Sequence, residues 1–247
     1  MTLEDFSTGF DTLLNSYAVA ANLGETDSPA SIELDELEKS IFLTDTQEEI
    51  VLSLYNGRNS SGNGFEETEE LRRYLSKLIY DAELTPISNT GKHPIGGDTN
   101  SYYFTLPDGT SDKPEVWFIT YESVTLSSSD ECKNGTSMQV IPAKQDEYNR
   151  LKKNPFRGAN NRRALRYDLS EGNVEIVCKY PVTKYYVRYL KKLNPIILVN
   201  LADGNSIQGK TTAMNSEVDS SLHRVILERA VEKAIQSRGY TISKENK

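Results

Sequence analysis

The sequence predicts an α+β protein with an N-terminal helical group, a central, mostly antiparallel β-rich region, and a C-terminal helix that packs back on the first helices. Three observations predict it. Apolar residues recur at three- and four-residue spacing over residues 1–90. Short β-branched and aromatic runs broken by turn residues fill 101–198, and helical spacing returns over 217–238.

Phe6, Phe10, Leu13, Leu14 and Tyr17 form the stripe of a first helix, with Thr2 and Asp5 as its capping pair. After the loop GETDSPA, Leu34, Leu37 and Ile41 suggest a shorter helix. Thr44 reads as the cap of another, with Gln47 three residues on and Ile50, Val51 and Leu54 on its buried side. The polar stretch NGRNSSGNG is expected to form a flexible tip. Leu71, Leu75, Leu78 and Ile79 mark a further helix that Pro86 limits.

Residues 91–100 read as a linker within the stretch SNTGKHPIGGDTN. From there SYYFTLPDG, VWFITYESVTL, SMQVI, ALRYD, NVEIVC, YYVRYL and PIILV supply strand candidates. Trp117, the single tryptophan, lies in the longest run and suits either core packing or an interface anchor. A loop is expected over 199–216. Leu222, Val225, Ile226, Ala230, Ala234 and Ile235 then trace the closing helix, with Glu217 and Asp219 at its N-terminal end. Gly239 ends it, and 239–247 reads as a frayed tail.

Composition narrows the function. With 37% hydrophobic and 26% charged residues the chain is too apolar for wholesale disorder. No run approaches a membrane span, and MTLEDFSTGF carries acids where a secretory signal carries bases, so a soluble cytoplasmic product without a membrane partner is expected. Cys132 and Cys178 are too few for a disulfide framework, and Cys178 reads as a small core residue.

Charge is unevenly spread. Residues 1–90 hold 18 acids and 5 bases, a difference of −13, whereas 144–192 hold 13 bases and 5 acids, a difference of +8. Lys152, Lys153, Arg157, Arg162, Arg163 and Arg166 are the candidates for a charged surface, one that would orient neighbouring copies or touch nucleic acid without sequence preference. Such a split suits a self-assembling building block.

Catalytic signatures are sparse. His93 reads as a loop residue and His223 as a helix-face residue, and neither pairs with a nucleophile. Two histidines and two distant cysteines give no metal signature, so no metal or cofactor is expected. Gly204 to Thr211 does spell GxxxxGKT, with Lys210 in the phosphate-binding position and PIILV as the preceding strand. A phosphate loop should open directly into a helix, and here TAMNSEVDS intervenes, so a polar loop that meets the pattern by chance is the expectation.

The segments TKYYVRYLKKLNPIILVNL and SEVDSSLHRVILERAVEKAIQ resemble the C-terminal part of the head-to-tail adaptors of tailed phages. The basic block EYNRLKKNPFRGANNRRALRY is similar to a linker of the neck and tail ring proteins of crAss-like phages of gut Bacteroidales. That resemblance covers residues 140–238. It implies a virion protein made in the host cytoplasm, forming a ring of about twelve copies that joins portal or neighbouring tail rings and continues the DNA channel. It also implies that Leu222, Val225, Ile226, Ala230 and Ile235 form a closing helix, and that Pro195, Ile196 and Ile197 end the strand supporting it. Tyr185, Tyr186 and Tyr189 are candidates for a subunit boundary or for sheet packing. The alternatives are a monomeric or dimeric protein-binding module using the aromatic sheet, and a phosphohydrolase using Lys210.

Overall fold

The computed structural model describes residues 1–20, 34–58, 62, 64, 67–110, 112–127, 134–202 and 204–238. The expected loop GETDSPA, residues 59–61 and 63 of the tip NGRNSSGNG, Cys132, Gly239 and the tail 239–247 lie outside the described residues. The chain divides into two units: Met1–Leu78 together with Leu193–Lys247, and Ile79–Lys192. These divisions fall at 78/79 and 192/193, where the sequence suggests 90/91 and 198/199.

The first unit is built on helices. α1 (Leu3–Ala20) starts where Thr2 and Asp5 cap one another, Thr2 N donating to Asp5 Oδ2 at 2.7 Å and Asp5 N to Thr2 Oγ1 at 3.2 Å. Phe6, Phe10 and Leu14, spaced four apart, are fully buried, each stabilising the unit by about 1.5–3 kcal/mol. α3 (Glu69–Leu75) is capped by Thr68 and runs through a single 3₁₀ turn to Leu78. α5 (His223–Ser237) follows a 3₁₀ turn, Ser220–Leu222, capped by Asp219, and packs on both α1 and α2 (Glu36–Tyr55).

α2 (Glu36–Tyr55) is one continuous helix where the sequence suggests two. Asp35 and Glu38 form its capping box, and Thr44 lies in its interior. Its buried face is unusually polar, carrying Lys39, Ser40, Thr44, Thr46 and Gln47. This is why Thr44-x-x-Gln47 imitates a cap: these side chains bond not to the start of their own helix but to a second segment. Thr44 Oγ1 accepts from Ile196 N at 3.0 Å and donates to Ile196 O at 3.2 Å. Ser40 Oγ accepts from Leu198 N at 3.0 Å, and Gln47 Nε2 donates to Asn194 O at 3.1 Å.

The segment so held, Asn194–Leu198, is therefore not the strand that PIILV suggests. It makes one isolated bridge, Ile197 to Met214, and α2 side chains take up Asn194 O, Ile196 N and O, and Leu198 N. Pro195, Ile196 and Ile197 are buried. Glu217, expected to favour the closing helix's N-terminus, instead accepts from Asn194 N and Nδ2 at 3.2 and 3.0 Å.

The second unit is a seven-stranded sheet of order β1-β7-β3-β4-β5-β6-β2. Its strands are β1 (Ile79–Leu84), β2 (Ser101–Thr105), β3 (Val116–Leu126), β4 (Ser137–Pro142), β5 (Arg163–Asp168), β6 (Asn173–Val177) and β7 (Val182–Lys191). All neighbours pair antiparallel except β4 and β5. That parallel step needs a long connection, which carries the short helix α4 (Tyr148–Lys152).

β1 takes up Ile79 and residues that the sequence assigns to the helical region. It is an edge strand whose single fully buried residue is Ala82. β3 shows three register shifts against β7, which bend it. The sheet curls so far that Phe104 on edge strand β2 stacks 5.2 Å from Tyr185 on β7. The concave side holds the main core, including Val124, Val140, Ile176, Tyr185 and Val187. A smaller cluster of Tyr148, Leu151, Leu165, Tyr167 and Val177 lies where α4 covers the other side.

Candidate assembly surfaces

The sequence's interface candidates separate into sealed and open groups. Leu222, Ile226, Ala230 and Ile235 are buried in the first unit, whereas Val225 is 38% exposed, with Leu227 and Val231 taking its expected place in the stripe. Tyr185 and Tyr189 have no exposed surface, and their hydroxyls donate to Glu122 Oε2 at 2.7 Å and to Pro114 O at 2.9 Å. Tyr186 points to the opposite side of β7, half-buried, with its ring edge-on to exposed Tyr121. Trp117 is half-buried beside Phe118, ring centroids 4.9 Å apart.

Of the six basic candidates, Arg166 is a correction. Its side chain is 11% exposed and pairs with Glu122 at 2.9 Å and Asp168 at 3.0 Å. Burial lifts the Glu122 carboxyl above its usual range even against the pull of Arg166 and Tyr185. The Glu122–Arg166–Tyr185 group is thus an internal polar network. Sequence reading misses it because the countercharge comes from Glu122 on β3, one strand beyond β5's neighbour β4 and 44 residues earlier in the chain.

The remaining bases run from Lys152 at the end of α4, along the loop that carries Lys153, Arg157 and Arg162, to Arg163 at the start of β5; two asparagines shape this loop. Asn154 Oδ1 accepts from Phe156 N at 2.9 Å and Arg157 N at 3.1 Å. Asn160 Oδ1 accepts from Arg162 N at 2.8 Å and Arg163 N at 3.2 Å, while its amide donates to Pro155 O. Gly158 sits so close to the backbone that an added Cβ would overlap Leu151 O and lie 2.9 Å from Asn154 O. The loop leaves Lys152, Lys153, Arg157 and Arg162 exposed and Arg163 half-buried. At its tip Phe156 is 81% exposed. Phe156 escapes a reading by periodicity, although Asn-Pro and Gly-Ala-Asn-Asn around it signal turns.

His223 is not an open helix-face residue. Buried at the start of α5, it accepts at Nδ1 from the Met1 amine at 3.0 Å, and its Nε2 lies 3.3 Å from Val218 O. That pattern fits a neutral ring protonated at Nε2. Burial and the adjacent amine both hold its pKa below the ordinary imidazole value.

The GxxxxGKT match forms a tight turn. Ile207 and Lys210 exchange backbone hydrogen bonds of 3.0 and 2.9 Å around Gln208 and Gly209, both with positive φ. The next helical turn begins only at Ser220. The amides of Ile207 and Lys210 are thus committed to the turn. Among the described residues, no group of three or more His, Cys, Asp or Glu side chains could hold a metal ion, and no helix is long and apolar enough to cross a membrane.

Comparison with known proteins places this α+β chain of two units among the ring and head-to-tail adaptor proteins of crAss-like phages. The chain belongs to the family described as phage tail ring protein 3/4, whose model matches residues 1–246. It is 45% identical to Ring protein 3 of Bacteroides phage crAss001, over 96% of each chain. Ring protein 4/5 of the same phage is 29% identical, over 95% of this chain and 92% of the relative. The chain is thus a virion structural protein with an oligomeric ring role.

Proposed function

We propose that this chain closes into a ring of about twelve copies between portal and tail and carries the DNA channel through that level. The observation that carries the reading is the extent of the family match, which spans both units from residue 1 to 246. The separation of charge supports it. Residues of the first unit include 22 acids and 12 bases, a difference of −10, whereas those of the second include 14 acids and 16 bases, a difference of +2. Chains carrying unlike patches attract head to tail, the arrangement from which rings close.

In this reading the chain does no chemistry of its own and takes no cofactor. Its partners are further copies of itself, the portal or adjoining tail rings, and the phosphate backbone of passing DNA. Particle mass and symmetry test the proposal, by mass photometry and class-averaged electron microscopy with and without co-expressed portal protein. A discrete high-order ring is expected. A persistent monomer in both samples would refute it and favour the binding-module reading.

A further inference from the structure

Two surfaces of this chain carry matching chemistry of opposite sign. The first is the loop between α4 and β5, where Phe156 stands out at 81% exposure with Lys153, Arg157 and Arg162 exposed around it. Its backbone is tied by Asn154 and Asn160, so little freedom remains to be lost on binding. An aromatic held rigidly in solvent amid positive charge is the form of an interface anchor.

The second surface is the outer face of α2. Glu38, Asp45 and Glu49, with Ile41 and Phe42 each three or four residues from Glu38 and from Asp45, share the side opposite the polar face that grips Asn194–Leu198. Ile41 is 41% exposed and Phe42 half-buried, so an apolar centre lies within an acidic rim. Glu38 and Glu49 each keep a partner on or just beyond α5, Arg238 at 3.8 Å and Lys233 at 2.6 Å. Asp45 is exposed, and Glu48 accepts from the neutral amide of Gln208, so among the described residues the rim keeps a net negative charge.

We infer that the Phe156 loop of one copy docks on the outer face of α2 in the next copy, Phe156 covering Ile41 and Phe42 while Lys153 and Arg157 meet Asp45 and Glu48. This deepens the ring reading and rests on it. The two patches are different surfaces of one chain, so the contact is heterologous and propagates from copy to copy until it closes. A second copy is the favoured occupant because one sequence supplies both halves, apolar centre to apolar centre and basic rim to acidic rim. DNA would use the bases but leave Phe156 and the α2 face without a role.

Reciprocal charge reversal tests the contact. One variant carries Lys153→Glu with Arg157→Glu, a second carries Asp45→Lys with Glu48→Lys, and a third combines all four. All these side chains lie outside the cores, so circular dichroism and thermal melting should match the wild type. Each reversal alone should weaken assembly about tenfold or more in mass photometry, as should Phe156→Ala, and the combination should restore the wild-type distribution. Wild-type rings that persist unchanged in either reversal would overturn the contact and leave the ring reading standing. A wild type that stays monomeric, alone and with portal, would refute the ring reading and this contact with it. Loss of duplex-DNA retention in the loop reversal with assembly intact would overturn the contact and assign the loop to DNA.

Discussion

The two units bury polar groups in opposite ways. The second hides charges: Glu122 and Arg166 face one another at 2.9 Å within the sheet, and Tyr185 donates to the same carboxylate. The first uses mostly neutral side chains, Ser40, Thr44 and Gln47, as fixed partners for the backbone of Asn194–Leu198. A sheet supplies its own backbone partners, so side chains are left over to build a network. An irregular segment has no ladder, and a neighbouring helix must supply one. The difference teaches that polar residues on a helix's buried face can substitute for a missing strand.

The strongest way to break this comparison is to leave a buried charge alone. Arg166→Met should destabilise the second unit by about 3–5 kcal/mol, because Glu122 is left without its countercharge. Calorimetry should show a lower melting temperature, and pairing the change with Glu122→Gln should recover part of the loss. An Arg166→Met protein that melts like the wild type would show that the network contributes nothing.

A neutral loss should cost less. Thr44→Val keeps the shape but strips both hydrogen bonds from Ile196, a cost of about 2 kcal/mol in urea unfolding. Amide exchange at Ile196 should accelerate in the same variant. Unchanged protection there would place the segment's stability in its apolar packing instead.

Gly158→Ala should cost about 1–2 kcal/mol, because the new methyl meets backbone carbonyl oxygens that cannot turn away. Melting and proteolytic nicking between Leu151 and Arg162 would measure it. Resistance equal to the wild type would mean that the loop can relax.

The smallest effect is a pH dependence from His223. Its folded pKa lies below the unfolded value of about 6.5, so the unfolded chain binds more protons. The stabilisation is therefore complete above that unfolded value and is lost as pH falls through the folded pKa. The groups facing the ring are the Met1 amine, Lys77, Asp219, the Val218 carbonyl and the Phe6 ring. His223→Gln should flatten this acid-side slope in melting temperature, and a slope that survives would assign it to other groups.

Much of this was legible because it obeys a period. Phe6, Phe10 and Leu14 declare α1, and the run YYVRYL declares β7, though which of Tyr185, Tyr186 and Tyr189 face the core emerges only from the sheet. What escaped depends on partners remote in sequence. Thr44 reads as a cap until Ile196, 152 residues away, supplies its partner. Arg166 reads as surface until Glu122 appears beside it, and Tyr80–Glu83 reads as helix tail until β7 pairs with it. The exposed Phe156 has no period to obey, since its position follows from turns made by its neighbours.

One feature of the connectivity bears on how such a chain is assembled over generations. The second unit begins at Ile79 and ends at Lys192, and its first and last strands are adjacent, Ile79 opposite Leu190. It is a cassette whose entrance and exit stand side by side. A gene resumed at residue 193 after residue 78 would need only a short splice to close the gap. A change in the size of the cassette would therefore leave the connection points of the frame where they are.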